Sequence, residues 1–206
     1  NLLEGTEADL IPFFNSSPII FLILIPAITM RSIAEERRTG TIELLFTRPI
    51  SDLKILLAKY FASVTLMLIA ILPTLIYYYS MIQLSEDPSK FDHGATITSY
   101  IGLILLGSCF VAIGIFTSAL TNSQIVAFIL ALFFCWIFVP NIGGIALLGS
   151  YNLMGSFDSI VQYFGMTFHY EGIKKGVIDT KNIIYFLSLI YGFIYAALTV
   201  IKSTKK

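Results

Sequence analysis

Residues 94–157 read GATITSYIGLILLGSCFVAIGIFTSALTNSQIVAFILALFFCWIFVPNIGGIALLGSYNLMGSF, 64 consecutive positions without an Asp, Glu, Lys or Arg. A helix rises about 1.5 Å per residue and the hydrocarbon core of a bilayer is about 30 Å thick, so about 20 apolar residues cross it. The run is too long for one crossing and long enough for two. Its polar interruption, Leu120-Thr121-Asn122-Ser123-Gln124, predicts a turn between spans near 97–119 and 125–148. Helices are expected rather than barrel strands, which would show short alternating segments instead of continuous apolar runs.

Three more stretches lack formal charge: 10–30, 60–85 and 182–201, of 21, 26 and 20 residues. Each fits one span. The sequence therefore predicts an all-α polytopic membrane protein, a single domain over 1–206 with five visible transmembrane helices at about 10–31, 58–83, 97–119, 125–148 and 182–201. Composition agrees. The 206 residues are 56% hydrophobic and 13% charged, with a mean hydropathy of +0.83, whereas soluble domains carry about 25% charged residues. An ordinary cytosolic globule and a disordered chain are excluded. The 13 Lys and Arg balance 13 Asp and Glu, which leaves no basic excess for nucleic acid. Cys109 and Cys135 lie in apolar runs far from any His, so they are expected to be small buried residues rather than a disulfide or zinc ligands.

Where the basic residues fall decides which way the bundle faces. Arg31, Arg37, Arg38, Arg48, Lys54 and Lys59 crowd the 31–59 loop, and Lys202, Lys205 and Lys206 the tail; Lys90, Lys174, Lys175 and Lys181 lie at the opposite ends of the spans. Nine against four puts Asn1 outside and the C-terminus in the cytoplasm. A chain that starts outside, and not with Met, is expected to have lost an upstream span whose own N-terminus was cytoplasmic. Pro18, Pro26, Pro73 and Pro140 are expected to kink their helices. The small-xxx-small pairs Ser108/Ala112 and Gly192/Ala196 predict close helix approach. No ionisable carboxylate, Lys, Arg or His falls at mid-membrane depth, which argues against proton relays, ion-coupled carriers, voltage sensors and intramembrane enzymes.

Two segments carry chemistry. In the first, a cytoplasmic loop over 32–57, helix-forming residues continue through Glu35, Glu36, Arg37 and Arg38, and Gly40 supplies a stop. Thr41 can cap a new helix with Glu43 in its first turn, and Pro49 after Arg48 ends it. The product is a helix of about two turns, Thr41 to Thr47, which is marginal in water on its own. Ile42, Leu45 and Phe46 share one face of it. That face suits either a groove on a partner protein or the membrane interface, and pattern alone leaves both open. Ser51-Asp52 then opens a further helix with Leu53, Leu56, Leu57, Tyr60 and Phe61 on one stripe, and Lys54 and Lys59 mark the cytoplasmic interface.

The second segment, 149–181, is extracytoplasmic on this orientation. Phe157, Ile160, Val161 and Phe164 after Ser156 predict an amphipathic helix at the outer boundary, before the last span. Tyr151, Tyr163, Phe168 and Tyr170 fit an aromatic belt. His169-Tyr170-Glu171 is expected to be solvated surface, and Asp92-His93 a loop cap.

The run Met30-Arg31-Ser32, Glu35 to Leu45, Thr47-Arg48-Pro49-Ile50-Ser51 and Lys59-Tyr60-Phe61 resembles the first cytoplasmic loop of ABC-2 type transporter permeases. Ala112 to Ser118, Asn122 to Phe128, Gly176 to Asp179 and Tyr185 to Leu189 extend the resemblance over most of the chain. It is most similar to the gliding-motility-associated permease subunit of Bacteroidota. The resemblance implies a six-helix half-transporter of the bacterial inner membrane, here without its first helix, whose two permease chains bind two ATPase subunits. Residues Gly40, Thr41, Ile42, Glu43, Leu45, Phe46, Thr47, Arg48 and Pro49 would form the coupling helix and its ends, flanked by Glu35, Glu36, Arg37 and Arg38. The helix at 157–164 would be the extracytoplasmic element before the last span. No G-x-x-x-x-G-K-[ST] occurs in the sequence, so the chain is expected to be non-catalytic, with ATP and Mg²⁺ held by the partner ATPase. The function implied is ATP-driven export or force transmission. A non-transporting membrane scaffold of a motility or secretion machine is the competing expectation.

Overall fold

A computed structural model of the chain describes residues 10–42, 50–84, 93–139, 165–177 and 179–204. The described elements are helices: α1 (Ile11–Thr29), α2 (Ala34–Arg38), α3 (Asp52–Ile71), α4 (Leu75–Leu84), α5 (His93–Leu120), α6 (Gln124–Phe138), α7 (Met166–Lys174) and α8 (Thr180–Thr204). Four helical stretches are long and apolar enough to cross a membrane: Ile11–Arg38, Asp52–Gln83, His93–Leu120 and Thr180–Ser203. The expected span 125–148 is seen only as α6, whose 15 residues reach about 22 Å, short of a full crossing. Residues 140–148, Pro140 included, lie outside the described residues, as does the expected helix at 157–164.

The first half of the longest charge-free run builds the centre of the bundle. In α5, 78% of the most apolar window is buried, against 33%, 28% and 22% in the other three long stretches. Helices α1, α3, α6, α7 and α8 all pack against α5. Gly107 and Gly114, two turns apart on one face, sit where neighbouring helices leave no room for a side chain. A Cβ on Gly107 would run into the Met67 sulfur and stand 3.0 Å from the Phe21 ring; one on Gly114 would overlap the Thr29 hydroxyl and stand 2.8 Å from its Cβ. Ser108 and Ala112 are buried on α5. The other small-residue pair behaves differently: a Cβ on Gly192 would meet nothing within 4 Å, so that position makes no close approach inside this chain.

Prolines shape two of the spans. Pro18 and Pro26 lie inside α1. Pro73 breaks the second apolar stretch into α3 and α4 through a 3₁₀ turn at Leu72–Thr74, because its ring lacks a donor and crowds the preceding turn. The Thr74 hydroxyl donates to Ile71 O at 2.6 Å, and the Tyr100 hydroxyl donates to Thr74 O at 3.1 Å. On α3 the buried stripe is Leu56, Tyr60, Ser63, Met67 and Ile71. The expected stripe is split, since Leu53 and Phe61 are exposed. Large apolar side chains cover the outside of the bundle, among them Ile19, Ile23, Leu66, Ile69, Ile129, Phe133, Ile184 and Tyr191. Such a surface suits lipid and would be an aggregation liability in water.

The ends of the bundle are sorted. At one end Arg31, Glu35 and Arg38 meet the α5–α6 loop, and Ile33 and Lys59 meet Ile201 of α8. At the other, Lys174 reaches Asn15, Ser99 donates to Lys174 O at 3.3 Å, and the Tyr78 hydroxyl lies 2.8 Å from His93 Nδ1. His93 is the first residue of α5 and is tied to α4, while Asp92, its expected partner in the cap, lies outside the described residues. His169 also departs from expectation. It is buried, with Nδ1 2.8 Å from Asn182 Oδ1 and its ring stacked on Tyr185 at 3.9 Å. The isolated polar triplet gave no hint of this because its partners lie on a helix of the following apolar run. Tyr170 is buried too, and its surroundings push the phenol pKa upward by desolvation.

Candidate functional site

The loop between α1 and α3 holds the residues singled out by the sequence, and its base is built in three layers. Helix α2 is short, and its Ncap residue Ile33 makes no side-chain cap. The first N–H groups of any helix need partners outside it. Here they come from another helix: Ser118 Oγ near the end of α5 accepts from Ile33 N and Ala34 N, both at 3.0 Å, and donates to Met30 O at 3.1 Å. One buried hydroxyl thereby fixes the turn that joins α1 to α2.

The second layer is a clamp from the far side of the loop. Lys59, two turns into α3, donates to Ser32 O at 2.6 Å and pairs with Glu36 Oε1 at 2.5 Å. Both side chains are mostly shielded, 20% and 28% exposed, so the pair loses less to solvent than a surface bridge does. The Arg38–Glu35 pair at 2.9 Å is different in kind, because the Arg38 side chain is 63% exposed.

The third layer is apolar. Ile42 is half-buried and packs against the core, in a recess with Ile33, Leu56 and Ile201. Just before it, Gly40 adopts φ +72°, the left-handed conformation that a helix stop after α2 requires. Thr39 closes α2 by donating from Oγ1 to Glu35 O at 2.9 Å, and its hydroxyl lies 3.0 Å from that of Thr41. Arg37 is half-buried and Thr41 exposed. Glu43, Leu45, Phe46, Thr47, Arg48 and Pro49 lie outside the described residues. Ile42 therefore sits on this chain's own core at the start of the segment whose other apolar residues, Leu45 and Phe46, were grouped with it.

Lys59 stood out in the sequence as a charge at the start of a span, but its clamp to Ser32 and Glu36 was not legible. Ser118 carried no signal beyond being a hydroxyl at the end of an apolar run. The consequence is mechanical: the start of the loop is fixed to α5, α2 is strapped to α3, and Ile42 rests beside α8. Among the described residues no group of three or more His, Cys, Asp or Glu is placed to hold a metal ion. Cys109 and Cys135 are buried, and Cys109 Sγ donates to Phe186 O at 3.3 Å.

A family model described as ABC-2 family transporter protein matches residues 6–204. No curated protein matches the chain. The family match spans nearly the whole sequence, and the long apolar helices are those of a multi-pass membrane protein. The chain belongs to the ABC-2 family of transporter proteins.

Proposed function

We propose that this chain is the permease subunit of an ATP-binding cassette transporter of the gliding-motility-associated type, with residues 41–47 as the coupling helix seated in a separate ATPase. The observation that carries the proposal is the doubly anchored base of the 31–59 loop, with Ser118 holding its start and Lys59 bridging across it. A loop that only rested on the membrane surface would not need such a foot. ATP-driven closure of the partner would move the loop, and the rigid foot would pass that motion to α5 and α3, switching access or exerting force across the membrane.

In this proposal α6 with the stretch after it forms a fifth span. The 31–59 loop and the C-terminus face the cytoplasm of a bacterium, residue 1 lies outside the inner membrane, and a second permease chain completes the pathway. The chain itself does no catalysis and holds no cofactor, since ATP and Mg²⁺ belong to the ATPase. Of the polar span residues suited to line a pathway, Thr65, Thr74, Tyr77 to Tyr79 and Ser108, the side chains of Thr65, Tyr77 and Tyr79 are exposed while Ser108 is buried; the exposed three fit a pathway shared between two chains.

The experiment is co-purification of the full chain with the ATPase subunit. Leu45→Asp with Phe46→Asp is expected to weaken the complex with the ATPase at least about tenfold, the factor for about 1.4 kcal/mol of lost docking energy, and to lower ATP turnover with it. Ile42→Asp is avoided because Ile42 also packs on the core. An intact complex with unchanged turnover would overturn the coupling assignment. Loss of a surface component when the ATPase is inactivated would then separate export from scaffolding.

A further inference from the structure

A cavity of about 620 Å³ opens between the α1–α2 turn and the α5–α6 loop, lined by Arg31, Glu35 and Arg38 on one side and Asn122, Ser123, Gln124 and Ile125 on the other. We infer that it binds the phosphodiester headgroup of an anionic membrane phospholipid, with an acyl chain lying along α6. The inference uses the membrane character of the chain and not its coupling to an ATPase; only the leaflet, the cytoplasmic one, depends on the proposed orientation.

Charge comes first. Arg38 is paired with Glu35 at 2.9 Å, which leaves those two groups neutral together. The Arg31 side chain is exposed and makes no ion pair or hydrogen bond among the described residues. The two guanidinium groups and one carboxylate leave a net +1 on the lining, the complement of one phosphodiester. Arg31 is also planar and fork-shaped, matched to two phosphate oxygens at once.

Donors come next. Helix α6 starts at Gln124 from an extended Ser123 that makes no side-chain cap, so its first-turn N–H groups face this end of the bundle with the positive end of the helix dipole. Asn122, Ser123 and Gln124 add neutral polar side chains. The volume falls within the range of small-molecule sites, about 300–1,000 Å³.

Position decides between a lipid and a free anion. Arg31 is the first charged residue after the charge-free α1 run, so the cavity lies where the apolar zone of the bundle ends. Ile125, on the cavity wall, is 72% exposed and continues along α6 through Ile129 at 57% and Phe133 at 55%. Residues at i, i+4 and i+8 line one face. A phosphate held at Arg31 with its acyl chain along this stripe satisfies both halves of the surface, whereas inorganic phosphate or an acidic peptide would leave the stripe unused. Basic pockets between spans on the cytoplasmic side are suited to such headgroups.

The test is native mass spectrometry of the full chain with phosphatidylglycerol and phosphatidylcholine carrying the same acyl chains. The expected result is a preference for phosphatidylglycerol of about fivefold, the factor that one basic residue near an anionic surface is worth. Arg31→Gln should abolish the preference, Lys54→Gln at the same end should leave it intact, and Ile129→Ser should shorten lipid retention. Thermal melting of Arg31→Gln alongside the unaltered chain controls for folding. Four results would overturn the inference: a preference that survives Arg31→Gln, an equal loss in Lys54→Gln, displacement of the lipid by millimolar inorganic phosphate, or an Arg31→Gln chain that keeps its lipid and instead releases the ATPase.

Discussion

The Tyr170 hydroxyl on α7 donates to the carbonyl oxygen of Phe14 in α1 at 3.0 Å. Phe14 lies four residues before Pro18, and a proline at that spacing removes the donor a helical carbonyl would otherwise have. The bond therefore replaces what Pro18 deletes, at a buried site where an unmatched carbonyl would be costly. It also ties α7 to the top of α1, with Tyr100 of α5 edge-on to the Phe14 ring at 5.0 Å.

Tyr170→Phe keeps the ring and removes only that donor. The expected cost is about 1–3 kcal/mol, the usual penalty for a buried polar group left unpaired. Thermal melting in detergent measures it, and a variant as stable as the unaltered chain would mean that Phe14 O finds another donor. Burial raises the Tyr170 pKa in the folded state. Its contribution is therefore fully present below the unfolded phenol value of about 10 and is lost as pH rises from there toward the folded value. The alkaline decline in stability should accordingly be shallower in Tyr170→Phe.

Ser118→Ala would strand the N–H groups of Ile33 and Ala34 and remove the donor to Met30 O. The expected loss is about 2–3 kcal/mol, concentrated at the α1–α2 turn. Hydrogen–deuterium exchange should quicken at residues 33 and 34 while the middle of α5 stays protected. Uniformly faster exchange would show that Ser118 acts through the whole bundle instead of through the loop foot.

These partners explain what could be read from the sequence and what could not. Four of the five expected spans correspond to helices long and apolar enough to cross a membrane, and they followed from charge-free length because a bilayer imposes a thickness on any helix within it. Gly40, with its positive φ, and Ser51-Asp52 at the start of α3 were legible because helix stops and starts are local chemistry. The foot was hidden because Ser118 lies 85 residues from Ile33 and hydroxyls at helix ends have no periodicity. His169 misled for the same reason, since its partners Asn182 and Tyr185 belong to the next span. Short-range pattern also favoured Ser108/Ala112 and Gly192/Ala196 over Gly107 and Gly114, seven residues apart, where an added Cβ would overlap its neighbours most severely among the described glycines.

The Lys59 clamp gives an asymmetric pair of variants. Lys59→Met leaves Glu36 without its cation and Ser32 O without its donor, and about 1–2 kcal/mol is expected for a pair this shielded. Glu36→Gln leaves the bond to Ser32 O in place and should cost under about 1 kcal/mol. A double-mutant cycle measured by denaturation checks the coupling. Equal losses for the two single variants would show that the carboxylate, and not the carbonyl, is what Lys59 holds.

The glycines of α5 and α8 should respond in opposite directions to the same methyl group. Gly114→Ala drives a Cβ into Thr29, with the Thr29 Cβ 2.8 Å away, so α1 must move outward; overpacking of this kind costs about 1–3 kcal/mol. Thr29→Ala in the same chain removes the overlapping hydroxyl and should restore part of the loss. Gly192→Ala meets open space and should stabilise the isolated chain by up to about 1 kcal/mol through helix propensity. Repeating the Gly192 measurement on the assembled transporter makes the comparison decisive: a gain in the isolated chain that turns into a loss in the assembly would place the Gly192 face of α8 against another chain, whereas a gain in both would leave it facing lipid.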